Sequence, residues 1–161
     1  MLTVTPREAC LVRIWNFSED LPFLDDQFSC ILGLLCDPFW SLQFLSECYR
    51  VLAPKGMLFL TLPDYEWGQT LRSSINLSVK LTRFKLFRGG EIQIPSNLTP
   101  PPQIEEMFYA VGFRNAPQVS RHVLPRSVTR ESISPDVQRA AQLKNLSPYA
   151  MPILTLVRTT K

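Results

Sequence analysis

LPFLDDQFSCILGLLCDPFWSLQFLSECYRVLAPKGMLFLTL, residues 21–62, decides how the chain is read. It divides into loop, apolar strand, helix, turn and apolar strand. FSCILGLL (28–35) is a continuous apolar run without alternation, which predicts a strand buried on both faces of a parallel sheet. Asp37-Pro38 then opens a helix in which Phe39, Leu42, Leu45, Cys48 and Tyr49 recur at three- and four-residue spacing. Pro54-Lys55-Gly56 stops that helix and turns the chain, and Met57 to Leu62 is a second apolar strand ended by Pro63. Two buried strands joined by a helix imply a parallel crossover, and a ligand crevice is expected at the strand ends.

Upstream, Leu2 and Val4 alternate with Thr, and Thr5-Pro6-Arg7-Glu8 has helix-start chemistry, so a short helix is expected over 6–13. Cys10 to Trp15 reads alternatively as a strand in its own right. Downstream, Trp67, Leu71, Ile75 and Val79 fall four apart on one helical stripe. Arg72, Lys80, Arg83, Lys85 and Arg88 follow with no acid among them, and Gly89-Gly90 ends the segment. Residues 64–99 therefore read as a cap or insertion over the strand ends, within one domain spanning 1–161. The basic cap either faces an anionic partner or is a solvated face. Gln103 to Val111 is an amphipathic helix with Ile104, Met107, Phe108 and Val111 inward and Gly112 as its cap. A strand is expected over Gln118 to Leu124, a helix over Pro135 to Leu143, and a final strand over Tyr149 to Thr159.

Composition sets the outer bounds. A chain of 161 residues with 45% hydrophobic and 19% charged residues can bury a core and is globular. The net charge of +3 is too small to argue for nucleic acid by itself. Its distribution is uneven: residues 1–66 carry 4 Lys/Arg against 9 Asp/Glu, and 67–161 carry 13 against 5. Cys10, Cys30, Cys36 and Cys48 show no C-x-x-C pair, and His122 stands alone, so no metal site is expected. No signal peptide and no apolar run of ~18–20 residues is present, and reduced thiols point to the cytoplasm. No nucleophile triad or phosphate loop appears, so no catalytic residue is assigned.

The order and spacing of these elements resemble the class I S-adenosylmethionine-dependent methyltransferases, type 11-like. The matching pieces are Glu19-Asp20-Leu21-Pro22-Phe23, then Asp25-Asp26-Gln27-Phe28-Ser29. Glu47-Cys48-Tyr49-Arg50-Val51-Leu52-Ala53-Pro54-Lys55-Gly56 and the strand Met57 to Leu62 follow. Pro102 to Phe113 resembles the family's last helix with its terminal Gly-Phe, and 149–159 its antiparallel C-terminal strand. The resemblance implies an α/β fold: a partial Rossmann-like sheet, mostly parallel, with an antiparallel C-terminal strand. It implies S-adenosylmethionine as cofactor, with Phe17, Ser18 and Glu19 beside the adenine and Gly33 and Leu34 where the cofactor passes the strand. Gly33 is equally read as a packing position. Asp64 and Tyr65, just past a strand end, are candidate substrate contacts, with a solvated turn as the plainer reading.

The chain also departs from the family. None of its six glycines forms the G-x-G that brings backbone N–H groups to the cofactor, and the acid for the ribose hydroxyls is replaced by Thr3. Phe17, Ser29 and Lys55 stand where the family places acid, acid and glycine. The resemblance thus implies a C-terminal portion of the fold, lacking the N-terminal glycine-loop βα units, on the order of 60 residues. The chain alone is expected to be inactive. A partner chain, the N-terminal fifteen residues or a missing half is expected to cover the open strand edge. A non-catalytic interaction module and a truncated product are the alternatives.

Overall fold

The computed structural model describes residues 20–161 except 76, 79 and 87. The expected helix over 6–13, and Thr3, Phe17, Ser18, Glu19 and Val79, lie outside the described residues. The elements run β1 (Phe28–Gly33), α1 (Leu42–Val51), β2 (Leu52–Pro63), α2 (Tyr65–Ser74), β3 (Leu81–Lys85) and β4 (Glu91–Pro95). They continue with α3 (Pro101–Val111), β5 (Gln118–Val123), α4 (Pro135–Leu143) and β6 (Pro152–Thr160), with one 3₁₀ turn at Arg130–Ser132. The main sheet has the order β1-β2-β6-β5, and β3 and β4 form a separate hairpin. β1 and β2 are parallel, with Gly33 opposite Leu60; β6 runs antiparallel to both of its neighbours. The fold is α/β with a mixed sheet, parallel at its start and antiparallel elsewhere.

The core forms where β2 alternates. Leu58, Leu60 and Leu62 are buried on one face, beneath Leu45 and Cys48 of α1 and Ile104 and Phe108 of α3. Trp40, Phe113 and Val157 complete this cluster. α3 starts at Pro101 and Pro102, where the missing N–H groups cost nothing, and stops at Gly112 in the left-handed region, φ 111°. A second cluster joins Ala140, Ala141 and Met151 to Trp67 and Leu71, tying α4 to α2.

Three local expectations are corrected. The strand over 28–35 ends at Gly33 and is not buried on both faces. Leu32 and Leu34 are 66% and 68% exposed, and Leu35 turns the chain at φ 51°. β1 pairs only with β2 among the described residues, so its length of apolar sequence has a layer on one side alone. Helix α1 starts at Leu42, capped by the Ser41 hydroxyl accepting from Phe44 N, rather than at Asp37-Pro38. Asp37 is instead drawn into a buried network, and Trp40 rather than Phe39 enters the core. The single helical stripe after residue 64 is cut short: α2 stops at Ser74, and the basic stretch becomes the β3–β4 hairpin. Gly89 and Gly90, at φ 86° and 87°, turn it.

Candidate functional site

Three side-chain fastenings position these elements, the first at the N-terminal ends of β1 and β2 and the other two at their C-terminal ends. The first is the Glu47–Arg50 clamp on α1. Arg50 Nε and Nη2 donate to the two Glu47 carboxylate oxygens at 2.8 Å each. Arg50 also donates to Phe23 O, Leu21 O and Asp25 Oδ1, while Leu21 N donates to Glu47 Oε2. The loop 21–25 is thereby held against α1 through its backbone. The paired guanidinium keeps the Glu47 carboxyl below its ordinary range, and Glu47 in turn raises Arg50.

The second fastening is Asp64. Its carboxylate is 1% exposed and caps α2 by accepting from Glu66 N and Trp67 N. Arg121 of β5 reaches it with Nε at 2.6 Å and Nη2 at 2.8 Å, and also meets Glu66 at 3.0 Å. That carboxylate contact raises Arg121 above its ordinary value. The third is a buried triad. Ser96 donates to Asp37 Oδ2, Arg72 Nη2 donates to Ser96 Oγ at 2.5 Å, and Arg72 lies 3.9 Å from Asp37. Burial pulls the Arg72 guanidinium down, and the Asp37 charge opposes that shift. Asn97 completes the joint, its side chain donating to Trp40 O and its N–H to Asp37 O.

Between the second and third fastenings lies a cleft of about 840 Å³. Leu35 and Pro38 after β1, Pro63 at the end of β2, Trp67 and Leu71 of α2, and Leu154 of β6 form much of its wall. Thr82, Arg83 and Glu91 of the hairpin and Asp136 of α4 also line it. It thus opens at the C-terminal ends of the parallel pair, where ligands of open α/β sheets bind. A smaller apolar groove of about 400 Å³ runs beside β1, between Phe23, Cys30, Leu32, Leu34 and Phe39.

The sequence-predicted residues fall as follows. Gly33 and Leu34 stand at the end of the unpaired β1 edge and line the groove. A Cβ on Gly33 would come within 2.5 Å of Cys36 Sγ and 2.7 Å of Leu60 Cδ2, so its lack of side chain serves packing against the core. Asp64 is buried and engaged as described. Tyr65 is partly buried, and its hydroxyl accepts from Gln69. The cleft is lined by Pro63 and Trp67, which flank those two residues. His122 is exposed and meets the Ser120 hydroxyl at 2.8 Å. Among the described residues no cluster of His, Cys, Asp or Glu stands ready to hold a metal ion. Sequence reasoning missed Arg121, Ser96 and the pairing of Arg72 with Asp37. Their partners are 57, 59 and 35 residues away along the chain, and no local pattern announces such contacts.

The described residues fit part of the cofactor that the resemblance implies. The groove beside β1 offers an apolar rest for a flat ring. No glycine-rich backbone cradle and no free carboxylate for ribose hydroxyls stands beside it among those residues.

No protein-family model and no curated protein matches the chain. Solved structures do. A chain from the Haloferax volcanii complex between the Trm112 methyltransferase activator and a methyltransferase is 18% identical, with a TM-score of 0.60 over 91% of this chain and 59% of that one. A Thermotoga maritima S-adenosylmethionine-dependent methyltransferase is 17% identical, with a TM-score of 0.51 over 88% and 60%. Haemonchus contortus phosphoethanolamine N-methyltransferase 2, solved with S-adenosyl-L-methionine, is 14% identical, with a TM-score of 0.52 over 86% and 34%. The chain therefore spans about 60% of the length of the first two. At these identities the likeness establishes architecture, and the chain has the fold of the class I S-adenosylmethionine-dependent methyltransferases.

Proposed function

We propose that this chain is the acceptor-side part of an S-adenosylmethionine-dependent methyltransferase, working when a segment bearing a glycine-rich loop completes the sheet beside β1. The observation that carries this reading is the meeting of the apolar β1 edge, unpaired among the described residues, with a large cleft at its C-terminal end. The cofactor supplies a methyl group already activated on a sulfonium. What the chain adds is position and dryness, which suffice for much of such a rate. Gly33 and Leu34 flank the cofactor from the edge, and Phe17, Ser18 and Glu19 are assigned to its adenine by the resemblance. Asp64 acts indirectly, capping α2, whose Trp67 and Leu71 line the cleft, and Tyr65, beside it, is kept as a substrate contact on its place just past a strand end alone. Residues 64–99 act as the cap of a single domain. The acceptor is unassigned at this level. Free thiols at Cys30, Cys36 and Cys48 support a cytoplasmic reading, and no helix of the described residues is long and apolar enough to cross a membrane.

Calorimetric titration with S-adenosylmethionine tests the reading. The chain alone is expected to bind weakly; with a companion segment supplying the glycine-rich loop, stoichiometric binding appears. Cys30, exposed on β1 and lining the groove, gives a second readout, because docking there shields it from alkylation. Cys36 and Cys48 serve as internal references. Burial pushes their thiols up to about 11 and about 12, so they stay unreactive at neutral pH in the folded chain. Micromolar cofactor binding by the isolated chain would overturn the need for a companion. A second reading, a non-catalytic module that pairs through β1, is favoured by the same apolar edge. It predicts Cys30 protection by a partner with no cofactor binding at all.

A further inference from the structure

The cleft over the strand ends has a charge pattern that selects among acceptors. Among the described residues its walls hold two guanidinium groups and three carboxylates: Arg72 and Arg83 against Asp37, Glu91 and Asp136. Each guanidinium is committed. Arg72 is buried against Ser96 and Asp37, and Arg83 Nη1 meets Glu91 Oε2 at 3.4 Å on paired strands of the hairpin. Asp136 adds a further carboxylate at the start of α4. Apart from Thr82 and Ser134 the remaining wall is apolar, with Leu35, Trp67, Leu71, Ile75 and Leu154 among its members. A site for a phosphate or a nucleic-acid backbone needs guanidinium or ammonium groups whose charge is not already spent. This cleft offers the opposite balance. Its volume of about 840 Å³ falls within the range of small-molecule sites, about 300–1,000 Å³.

We infer that the cleft takes a small molecule with an apolar body, neutral or bearing one cationic nitrogen, and that it rejects phosphorylated and polyanionic acceptors. The inference rests on the methyltransferase reading only for the word acceptor; the binding preference stands on the cleft itself. Arg72 of α2 and Arg83 of the hairpin therefore do not make this wall an anion site, because they face Asp37 and Glu91.

Three probes with one aromatic body separate the possibilities: 1-naphthylmethylamine, 1-naphthalenemethanol and 1-naphthyl phosphate, measured by equilibrium dialysis at neutral pH without cofactor. The amine and the alcohol are expected to bind, and the phosphate to bind roughly ten-fold or more weakly, because it finds no uncommitted guanidinium and one surplus carboxylate, Asp136. Thr82→Trp, filling the cleft from β3, is expected to abolish binding of the amine and the alcohol. Glu91→Gln, a substitution on a half-exposed position that leaves the fold intact, releases Arg83 and raises affinity for the phosphate several-fold. Phosphate binding equal to that of the amine in the unaltered chain would overturn the inference. So would failure of all three probes to bind, or a Glu91→Gln variant with no gain for the phosphate. Cofactor titration is independent of these measurements, so the methyltransferase reading can fail while the cleft's preference holds, and the reverse.

Discussion

Gly33 shows how one residue can carry two readings until its surroundings are known. In sequence it interrupts an apolar strand, which permits close approach by a ligand or by the protein's own core. In the fold, the direction a Cβ would take is filled by Cys36 Sγ and Leu60 Cδ2. Gly33→Ala is therefore expected to destabilise the chain by about 1–3 kcal/mol through overpacking, measured by denaturant unfolding. Gly33→Ala combined with Cys36→Ala should recover part of that loss, since the smaller side chain vacates one of the two contacts and Leu60 Cδ2 remains. Equal destabilisation of the single and double variants would show that the clash is not with the thiol. Asp64 is a parallel case. Its place just past a strand end suggests a ligand contact, yet its carboxylate is spent on two helix N–H groups and Arg121.

At the scale of elements, the Glu47–Arg50 clamp joins α1 to the loop before β1. Glu47 is mostly buried, and its carboxyl lies below the ordinary range because Arg50 donates to it. A carboxyl lowered on folding contributes stability above its unfolded pKa of about 4.3 and loses it as pH falls through the folded value. Glu47→Gln is thus expected to cost about 1–3 kcal/mol at neutral pH. The gap from the unaltered chain should narrow on acidification below about pH 4. Thermal melts across pH 3–7 check this, and a constant gap would remove the clamp from the account. Glu47 and Arg50 were legible as part of the resemblance and as polar positions of one helix, but their pairing was not read from the sequence. What they hold was not legible, since Leu21 and Phe23 are reached only when the loop folds back.

For the molecule as a whole, the two edges of the main sheet differ in kind. β5 at one edge presents Arg121 and His122, polar groups that discourage pairing with another strand. β1 at the other edge has no charged residue, and Leu32 and Leu34 stand open beside it. An edge of this kind pairs when it meets a strand. The chain alone is expected to self-associate with rising concentration, and Leu32→Lys with Leu34→Lys to keep it monomeric. Sedimentation velocity decides this; an unaltered chain that stays monomeric at high concentration would show the edge to be protected.

Much of the architecture follows from local pattern. The apolar runs at 28–35 and 57–62, the body of α3 over 103–111 with its glycine stop, and helix α4 over 135–143 were readable because each is encoded within a few residues of itself. Boundaries set by distant partners were not. Asp37 looked like a helix start and became part of a buried triad with Ser96 and Arg72, residues that meet it only after the hairpin folds over. Arg72 looked like the first charge of a solvated basic face and is 5% exposed. The sequence by itself determined the order of strands and helices and the resemblance that groups them, because periodicity and turn chemistry are local. Tertiary structure alone decided which charges neutralise each other, where the cleft lies and which edge is left unpaired. Those properties depend on contacts between residues far apart in the chain.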